Sequence, residues 1–191
     1  MRAALGLARR ALGVAWPNPA VGCVIVSASG RVVGRGTTAP GGRPHAETVA
    51  LAMAGEAARG GTAYVTLEPC AHWGETPPCA DALVDAGLAR IVIGADDPDP
   101  RVDGRGISRL REAGVQVATG VLEEEAREVA AGFLMRVTKG RPLVTLKLAS
   151  TLDGRIATES GDSPPRSNGM ACSTKPSASI AAAPLLTLVA T

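Results

Sequence analysis

The sequence has few aromatic residues, with two Trp, one Tyr and one Phe in 191 positions. Since 46% of the chain is nevertheless hydrophobic, its core must be built mainly from Val, Leu, Ile and Ala. A chain of this length can bury one well-packed domain with a small appendage. The composition therefore predicts a globular protein with an aliphatic core.

Runs of like charge and long apolar segments are also missing. The formal net charge is +2, and no cluster of Lys or Arg gives an electrostatic reason to expect a nucleic-acid or membrane partner. No stretch has the ~20 consecutive apolar residues that a transmembrane helix needs. Arg9 and Arg10 interrupt the early apolar run too soon for a signal peptide. The spacing of Leu5, Ala8 and Leu12 instead predicts an amphipathic first helix.

The cysteines do not form the pattern of a disulfide framework, because they are scattered at positions Cys23, Cys70, Cys79 and Cys172. Cys23 lies in the apolar run VGCVIV and is expected in the core. With no sign of export, these features predict a cytoplasmic protein. Whether it forms a homo-oligomer stays open.

Segments of strand and helix pattern alternate through the first part of the chain. Two β-rich runs, 20–26 and 31–35, flank Ser-Ala-Ser-Gly and predict a hairpin. A helix is predicted over 45–59, with an inner face formed by Val49, Ala50, Met53 and Ala57. The segments that follow are strands at 62–68, 90–95 and 115–120 and helices at 77–87, 106–114 and 122–140. Because single helices between strands imply parallel neighbours, we expect an α/β protein, a mixed sheet in an α/β/α sandwich ending near Gly140.

Three residues are candidate metal ligands. His45 opens a predicted helix, Cys70 follows a predicted strand, and Cys79 lies where the next helix begins. Helix N-termini lower the pKa of thiols, which suits cysteines that bind metal. Catalytic zinc sites have three protein ligands and structural sites usually have four. Since only His72 lies nearby as a further donor, the pattern favours a catalytic zinc site.

Glu47 lies two residues after His45, too close in sequence to serve as another ligand on the same face of a metal. A carboxylate beside an activated water can instead carry protons as a general acid and base. The pattern H-x-E followed by P-C-x-x-C is typical of zinc deaminases, in which the glutamate is the proton shuttle. The segments HAE and EPC match this pattern, but eight residues rather than two separate Cys70 from Cys79.

Several segments resemble a known family. PNPAVGCVIV, HAETVAL, TAYVTLEPCAHWGETPPCADALVDAGLARIVIGADDPDP and GRGISRLREAGVQV are similar to the deaminase domain of the bifunctional riboflavin-biosynthesis deaminase-reductases. The similarity runs from about Met1 to Ser163. The long insert between the cysteines distinguishes this family from deaminases with a tighter cysteine pair. The resemblance implies the cytidine deaminase-like fold, a three-layer α/β/α sandwich with a five-stranded mixed sheet.

The resemblance also implies an activity. The substrate would be 2,5-diamino-6-ribosylamino-4(3H)-pyrimidinone 5′-phosphate, which loses its 2-amino group as ammonia. By analogy, Zn²⁺ would be held by His45, Cys70 and Cys79. Glu47 would carry protons from water to the ring nitrogen and then to the departing amine. NADPH would be a cofactor only if a complete reductase domain were present.

Weaker parallels concern contacts with the substrate. Asn18 matches a family position near the pyrimidine, although an Asn between two prolines is also typical of a turn. His72 either contacts the substrate or caps the insert. Asp97 and Asp99 either reach the ribose or form a turn.

One position departs from the family pattern at the expected phosphate contact. Where the family commonly has Lys or Arg, this chain has Glu75, whose carboxylate would repel a phosphate. Either another cation, such as Arg43 or Arg105, serves in its place, or phosphate recognition is weaker.

The resemblance divides the chain into three parts. We expect a zinc-dependent deaminase domain at 1–140, a remnant of the first strand region of a reductase domain at 141–163, and a disordered tail at 164–191. Ala149 and Ser163 match early reductase contacts, for cofactor and substrate respectively. After Ser163 the similarity ends in a segment rich in Ser, Ala, Pro and Thr. Reductase activity is expected to be absent, and a truncated or out-of-frame coding sequence would produce such a tail.

Two alternatives stay open at this point. The protein could deaminate another free base, nucleoside or nucleotide, which Glu75 would suit. It could also be an inactive zinc-binding module that only binds a ligand or partner, which exposed apolar surface along PLVTLKLA would favour.

Overall fold

The structure, a computed structural model, describes residues 1–145. The described helices and strands lie between Arg2 and Lys139. The helices are α1 (Arg2–Arg10), α2 (Ala46–Ala54), α3 (Cys79–Asp85), α4 (Arg105–Glu112), α5 (Glu123–Val129) and α6 (Ala131–Lys139). The strands are β1 (Gly22–Val26), β2 (Val32–Thr37), β3 (Thr62–Leu67), β4 (Arg90–Ala95) and β5 (Gln116–Ala118).

The strands form one five-stranded mixed sheet in the order β2-β1-β3-β4-β5. β1 is antiparallel to both β2 and β3, whereas β3, β4 and β5 are parallel to one another. The predicted hairpin and the predicted parallel half of the sheet are both confirmed. The carboxyl ends of β3, β4 and β5 therefore lie at the same edge of the sheet.

Helices cover both faces of the sheet, as the α/β/α prediction requires. On one face, Gly22 packs against α1, and the hydroxyl of its cross-strand partner Thr37 donates to the carbonyl of Leu7 in that helix. On the other face, Gly34 and Gly36 pack against α2. Because side chains alternate along a strand, β1 and β2 separate these two helices. α3 packs between α2 and α4, and α5 packs between α1 and β4.

The core is aliphatic, as the composition predicts. Its largest fully buried apolar side chains are Ile25, Val65, Leu67, Leu83, Ile91, Ile93 and Leu110. Cys23 is fully buried in β1, which confirms its predicted place in the core. Of the helices within residues 1–145, none has the length and apolar character that crossing a membrane would require.

The predicted inner face of the helix after the hairpin is confirmed at Ala50 and wrong at Met53 and Ala57, which are exposed, while Val49 is half-buried. Ala46, Ala50 and Ala54 are buried, whereas Met53 is 61% exposed. The reason is the surface of β2, whose two glycines let the helix backbone approach so closely that only small side chains fit between them. The helix also ends earlier than predicted, because Gly55 has φ of 51° and leads into a 3-10 turn at Gly55–Ala58.

Two other predicted helices differ in extent. α1 ends at Arg10, so Leu12 lies beyond it and is 45% exposed. The single helix predicted over 122–140 is two helices, since Ala130 departs from helical geometry with φ of −87° and ψ of 3°. α5 packs on β4, and the chain changes direction before α6 begins.

Candidate metal centre

The three candidate ligands come from three different elements that meet at one edge of the sheet. His45 is the residue that precedes α2, Cys70 follows β3, and Cys79 is the first residue of α3. Both helices begin at the edge where β3 ends. Residues that are far apart in the sequence are thereby placed side by side.

The ligand atoms of these three side chains all lie within 4.8 Å of one another. His45 Nδ1 is 3.3 Å from Cys79 Sγ and 3.8 Å from Cys70 Sγ. The backbone N–H of Cys79 donates to Cys70 Sγ across 3.3 Å. In the part of the chain that the structure describes, no other group of three metal-ligating side chains lies this close together.

The donor set fits Zn²⁺. With metal–ligand bonds of about 2.0–2.3 Å, the ligand atoms of a tetrahedral zinc site lie roughly 3.5 Å apart, which is close to the distances from His45 Nδ1 to the two sulfurs. Imidazole with thiolate is a typical zinc donor set, whereas magnesium and calcium prefer oxygen. Three protein donors is also the number found in catalytic zinc sites.

Electrostatics favour a thiolate at this site. The hydrogen bond from the Cys79 thiol, together with a weaker one from His45, lowers the pKa of Cys70 to about 4. The same contact raises the pKa of Cys79, which is the donor, and burial raises it further. The hydrogen bond with Cys70 also raises the pKa of His45. A sulfur that is already anionic at neutral pH can bind a cation without first losing a proton.

Glu47 lies in the first turn of α2 and is 4% exposed. Burial raises the pKa of its carboxyl to about 7. The residue lines a cavity that also contains His45 and Cys70. A buried carboxyl that holds or releases a proton near neutral pH can serve as a general acid and base.

The predicted substrate contacts all line the same cavity, and they are Asn18, His72, Asp97 and Asp99. Asn18 lies against the ring of His45, with Nδ2 at 3.3 Å from Nε2, and its amide donates to the carbonyl of Gly42 at 2.8 Å. His72 Nδ1 is buried and has no hydrogen-bond partner among residues 1–145. The structure thus brings the four candidates together beside the three ligand residues.

Asp97 and Asp99 are linked in a tight turn. The backbone N–H of Asp99 donates to Asp97 Oδ1 at 2.9 Å. Arg101 binds Asp99 through two nitrogens, at 2.9 and 2.6 Å, and this holds the pKa of Asp99 down to about 2. Burial instead raises the pKa of Asp97 to about 6. The turn therefore places two different groups on the cavity. The Asp99 carboxylate is paired with Arg101, and the Asp97 carboxyl is buried and has a raised pKa.

Glu68 is a residue of this site that sequence reasoning missed. It is 4% exposed, and its carboxylate accepts backbone N–H bonds from Asp97 at 3.4 Å, Gly104 at 3.2 Å and Ile107 at 3.1 Å. These bonds tie the end of β3 to the turn after β4 and to the first turn of α4. The signal that could have found it is a charged residue between a buried strand and a ligand cysteine, where an unpaired carboxylate would be costly.

Only one of the two cations considered for the phosphate lies on the cavity. Arg43 lines it, and its Nε is 3.5 Å from Glu75 Oε2, while Nη1 donates to Thr76 Oγ1 at 3.0 Å. Arg105 opens α4 and lines a separate open groove. The predicted reductase contacts Ala149 and Ser163 lie outside the described residues.

Comparison with protein families assigns the first half of the chain. Residues 1–95 match the model of the cytidine and deoxycytidylate deaminase zinc-binding region. This segment contains all three candidate ligands and Glu47.

Longer relatives match most of the chain. The riboflavin biosynthesis protein RibD of Escherichia coli is 53% identical over 163 residues, which are 85% of this chain and 44% of that protein. RibD of Aquifex aeolicus is 50% identical over 163 residues, 85% of this chain and 46% of the relative. The crystal structure of a diaminohydroxyphosphoribosylaminopyrimidine deaminase/5-amino-6-(5-phosphoribosylamino)uracil reductase from Thermotoga maritima superposes with a TM-score of 0.78 at 48% identity. It is matched over 85% of this chain and 47% of its own. The chain therefore spans less than half the length of these relatives, and its fold is the cytidine deaminase-like fold.

Proposed function

Because the chain belongs, through residues 1–95, to the cytidine and deoxycytidylate deaminase zinc-binding family, we propose that it is a zinc-dependent hydrolytic deaminase of a pyrimidine. The observation that carries the proposal is the meeting of His45, Cys70 and Cys79, because the first two of these line the same cavity as the buried carboxyl of Glu47. One nitrogen and two sulfurs would hold Zn²⁺. When bound, the metal would supply Lewis acidity that makes water a nucleophile near neutral pH.

The substrate that we propose is 2,5-diamino-6-ribosylamino-4(3H)-pyrimidinone 5′-phosphate. Support comes from the relatives, which are named for riboflavin biosynthesis and for deamination of such an aminopyrimidine. Water would add to the ring carbon that bears the 2-amino group, the carbon–nitrogen bond would break, and ammonia would leave. A carbonyl then replaces the amine.

In this reaction the protein would have to move protons and hold the ring. The Glu47 carboxylate would take a proton from the attacking water, give it to the ring nitrogen, and deliver the next proton to the departing amine. Asn18, which contacts the ring of His45, would fix the orientation of that ligand. The unpartnered Nδ1 of His72 and the turn formed by Asp97 and Asp99 would contact the substrate.

Replacing Glu47 by Gln tests the proposal. The variant should keep one Zn²⁺ per chain but lose ammonia release by about 10²-fold or more, because general acid and base catalysis typically contributes that much. Ammonia release from the pyrimidinone phosphate and metal content would be measured on the same preparation. Glu56→Gln is the matched control, since Glu56 lies exposed in the turn after α2 and should leave both unchanged.

Normal turnover by the Glu47→Gln variant would contradict the proton shuttle. Loss of zinc from the same variant would show instead that Glu47 is needed for the metal site. A wild-type protein that binds zinc and releases no ammonia would contradict the proposed activity.

One observation favours a second candidate, deamination of an unphosphorylated pyrimidine. The carboxylate of Glu75 lies on the loop between the two cysteines and pairs with Arg43, which lines the cavity. An anion there would disfavour a phosphate. Relative turnover of phosphorylated and dephosphorylated substrate distinguishes the two candidates.

We also propose that residues 1–140 form the deaminase unit and that the protein is cytoplasmic. The end of the last described helix supports the proposed boundary of the deaminase unit. That helix, α6, ends at Lys139, and the next residue, Gly140, has a left-handed backbone conformation. Support for the second proposal comes from the cysteines within residues 1–145, none of which takes part in a disulfide bond within that range, as is usual in reducing compartments.

A further inference from the structure

A phosphorylated substrate needs a cation near the cavity, and the described residues offer two candidates. Arg43 and Arg101 are the arginines that line the cavity of the metal centre within residues 1–145, and no lysine lines it. They lie on different segments, one before α2 and one after β4. The partners of each arginine show which one can accept a phosphate.

Arg101 is committed to another partner. Two of its nitrogens bind the two oxygens of Asp99, and its backbone N–H also donates to Asp99 Oδ1 at 2.9 Å. The Asp99 side chain is only 9% exposed. Withdrawing the guanidinium would leave a buried carboxylate without its counter-charge, which is unfavourable. Arg101 is therefore a structural partner of Asp99.

Arg43 is held more weakly, by one hydrogen bond to the Thr76 hydroxyl at 3.0 Å and by an ion pair with Glu75. Its contact with Glu75 is 3.5 Å long, and the Glu75 side chain is 82% exposed. Ion pairs so exposed to water contribute little to stability, because solvent screens them and either partner can move away. The Arg43 side chain is 30% exposed and that of Arg101 is 66% exposed, so the two arginines are distinguished by their partners and not by their exposure.

The backbone of Arg43 is nevertheless fixed close to the metal centre. The residue precedes His45 by two positions, and the carbonyl of its neighbour Gly42 accepts a hydrogen bond from Asn18. Gly42 has φ of 87°, and a Cβ there would lie 2.9 Å from Asn18, so this close contact requires glycine. At the other end, Arg43 Nη2 lies against Gly74, where a Cβ would be 2.9 Å away. A long side chain on a fixed backbone can thus reach from the cavity to the loop between the cysteines.

We propose that Arg43 binds the phosphate monoester of the substrate, and that Glu75 is the resting partner which the phosphate displaces. A dianionic phosphate offers several oxygens to a guanidinium and can accept two parallel hydrogen bonds, so it competes well against one exposed carboxylate. The side chain of Glu75 then turns into water. The inference rests on the proposed function for the identity of the substrate. It explains how a substrate with a phosphate could bind beside a loop that carries the acidic residue Glu75.

Binding to the inert, zinc-loaded Glu47→Gln protein tests the proposal. Calorimetric titration would compare the pyrimidinone 5′-phosphate with its dephosphorylated form. Adding Arg43→Gln should weaken binding of the phosphate by about tenfold or more, because charge-assisted bidentate bonds are lost, and leave the dephosphorylated form within about twofold. Adding Glu75→Gln should tighten binding of the phosphate by about two- to fivefold, because an exposed competitor is removed.

The exposed ion pair between Arg127 and Glu123 provides matched controls. Arg127 Nε lies 2.7 Å from Glu123 Oε1, both residues are on α5, and neither lines the cavity. Arg127→Gln and Glu123→Gln should leave both affinities unchanged. A change equal to that of the Arg43 and Glu75 variants would show that general surface charge, not a phosphate contact, is being measured.

Two outcomes would overturn the proposal. One is an equal loss of affinity for both ligands in Arg43→Gln, which would make Arg43 a support for the loop. The other is a loss specific to the phosphate in Arg101→Gln and not in Arg43→Gln. Failure of the proposed function is distinguishable, since it would appear as phosphate-dependent binding through Arg43 without any ammonia release by the wild-type protein.

Discussion

Asp97 is a residue outside the three metal ligands whose ionisation opposes folding. Burial raises the pKa of its carboxyl from 3.8 to about 6. The folded state therefore binds a proton more tightly than the unfolded state between these two values. By linkage, the stability from this group is fully present below pH 3.8 and is lost as the pH rises through about 6.

Asp97→Asn is expected to stabilise the protein at alkaline pH. The substitution removes the buried charge and keeps Oδ1, which accepts the N–H of Asp99. At pH 8 the free energy of unfolding should rise by about 1–2 kcal/mol, and the gain should shrink as the pH falls towards 5, where the native carboxyl is mostly protonated. Urea unfolding at the two pH values measures it. The control is Asp96→Asn at the exposed neighbouring position. An equal gain at both pH values would contradict the assignment to ionisation.

At the residue scale the sequence predicts chemistry well where residue type and spacing are themselves the signal. His45, Glu47, Cys70 and Cys79 could be picked out because H-x-E and P-C carry a recognisable donor pattern. Glu68 could be noticed as a charged residue beside a ligand cysteine, but its role could not be predicted, since its partners are backbone N–H groups 29 to 39 positions further along the chain. Contacts of that range depend on the fold and leave no local pattern.

At the scale of elements, the packing of α2 on β2 decides where the metal centre lies. Gly36 has no room for a side chain, since a Cβ there would lie 2.0 Å from the Ala46 carbonyl oxygen. Ala46 directly follows His45, and Glu47 comes next. The close approach of helix and strand therefore fixes the position of one ligand and of the proposed proton carrier.

Gly36→Ala is expected to damage both stability and metal binding. The added methyl group would push the start of α2 off the sheet, so the free energy of unfolding should fall by about 1–3 kcal/mol and zinc affinity should fall with it. Denaturant unfolding and competition with a zinc chelator measure the two effects.

Gly6→Ala is the control for that substitution. Gly6 lies in α1, and among residues 1–145 no atom outside its own stretch of helix comes within 4 Å of the place that an added methyl group would occupy. Alanine there should raise stability by about 0.5–1 kcal/mol through helix propensity. A Gly36→Ala protein as stable as wild type, with unchanged zinc affinity, would contradict the role of the close approach.

Most elements could be predicted in type and order from the sequence, but the break between α5 and α6 and the inner face of α2 could not. The hairpin of β1 and β2 and the alternation of strands and helices after it follow from local patterns of β-rich and helical segments. The inner face of α2 does not, because the larger apolar residues of a helix are normally assigned to the core. Here the glycines of β2 reverse that preference, and only the pairing of strand and helix reveals it.

At the scale of the whole molecule, a metal bound by His45, Cys70 and Cys79 would join three separate segments. Two of these ligands belong to helices on the same face of the sheet, and the third follows the central strand β3. A metal that binds only the folded state stabilises it according to its free concentration. Metal binding at this site is therefore also expected to stabilise the folded state.

Removal of zinc should lower the melting temperature. At a free zinc concentration of about 100 times the Kd, linkage contributes about 2.7 kcal/mol, which corresponds to a shift of roughly 5–10 °C for a chain of this size. Thermal unfolding with and without a chelator measures the shift. His45→Ala should show no further loss with chelator, and an equal loss in that variant would contradict binding at this site.

The loop between Cys70 and Cys79 is closed at its base by the protein itself. The N–H of Cys79 donates to Cys70 Sγ, and the N–H of Ala80 donates to the Cys70 carbonyl at 3.2 Å. Extending such a closed loop from two to eight residues costs only about 1 kcal/mol of chain entropy. The length and charge of the segment from Ala71 to Pro78 can therefore change, during evolution or in protein engineering, with little effect on the metal ligands. Cys70 and Cys79 would keep their positions because the hydrogen bonds from Cys79 and Ala80 to Cys70 do not involve the rest of the loop.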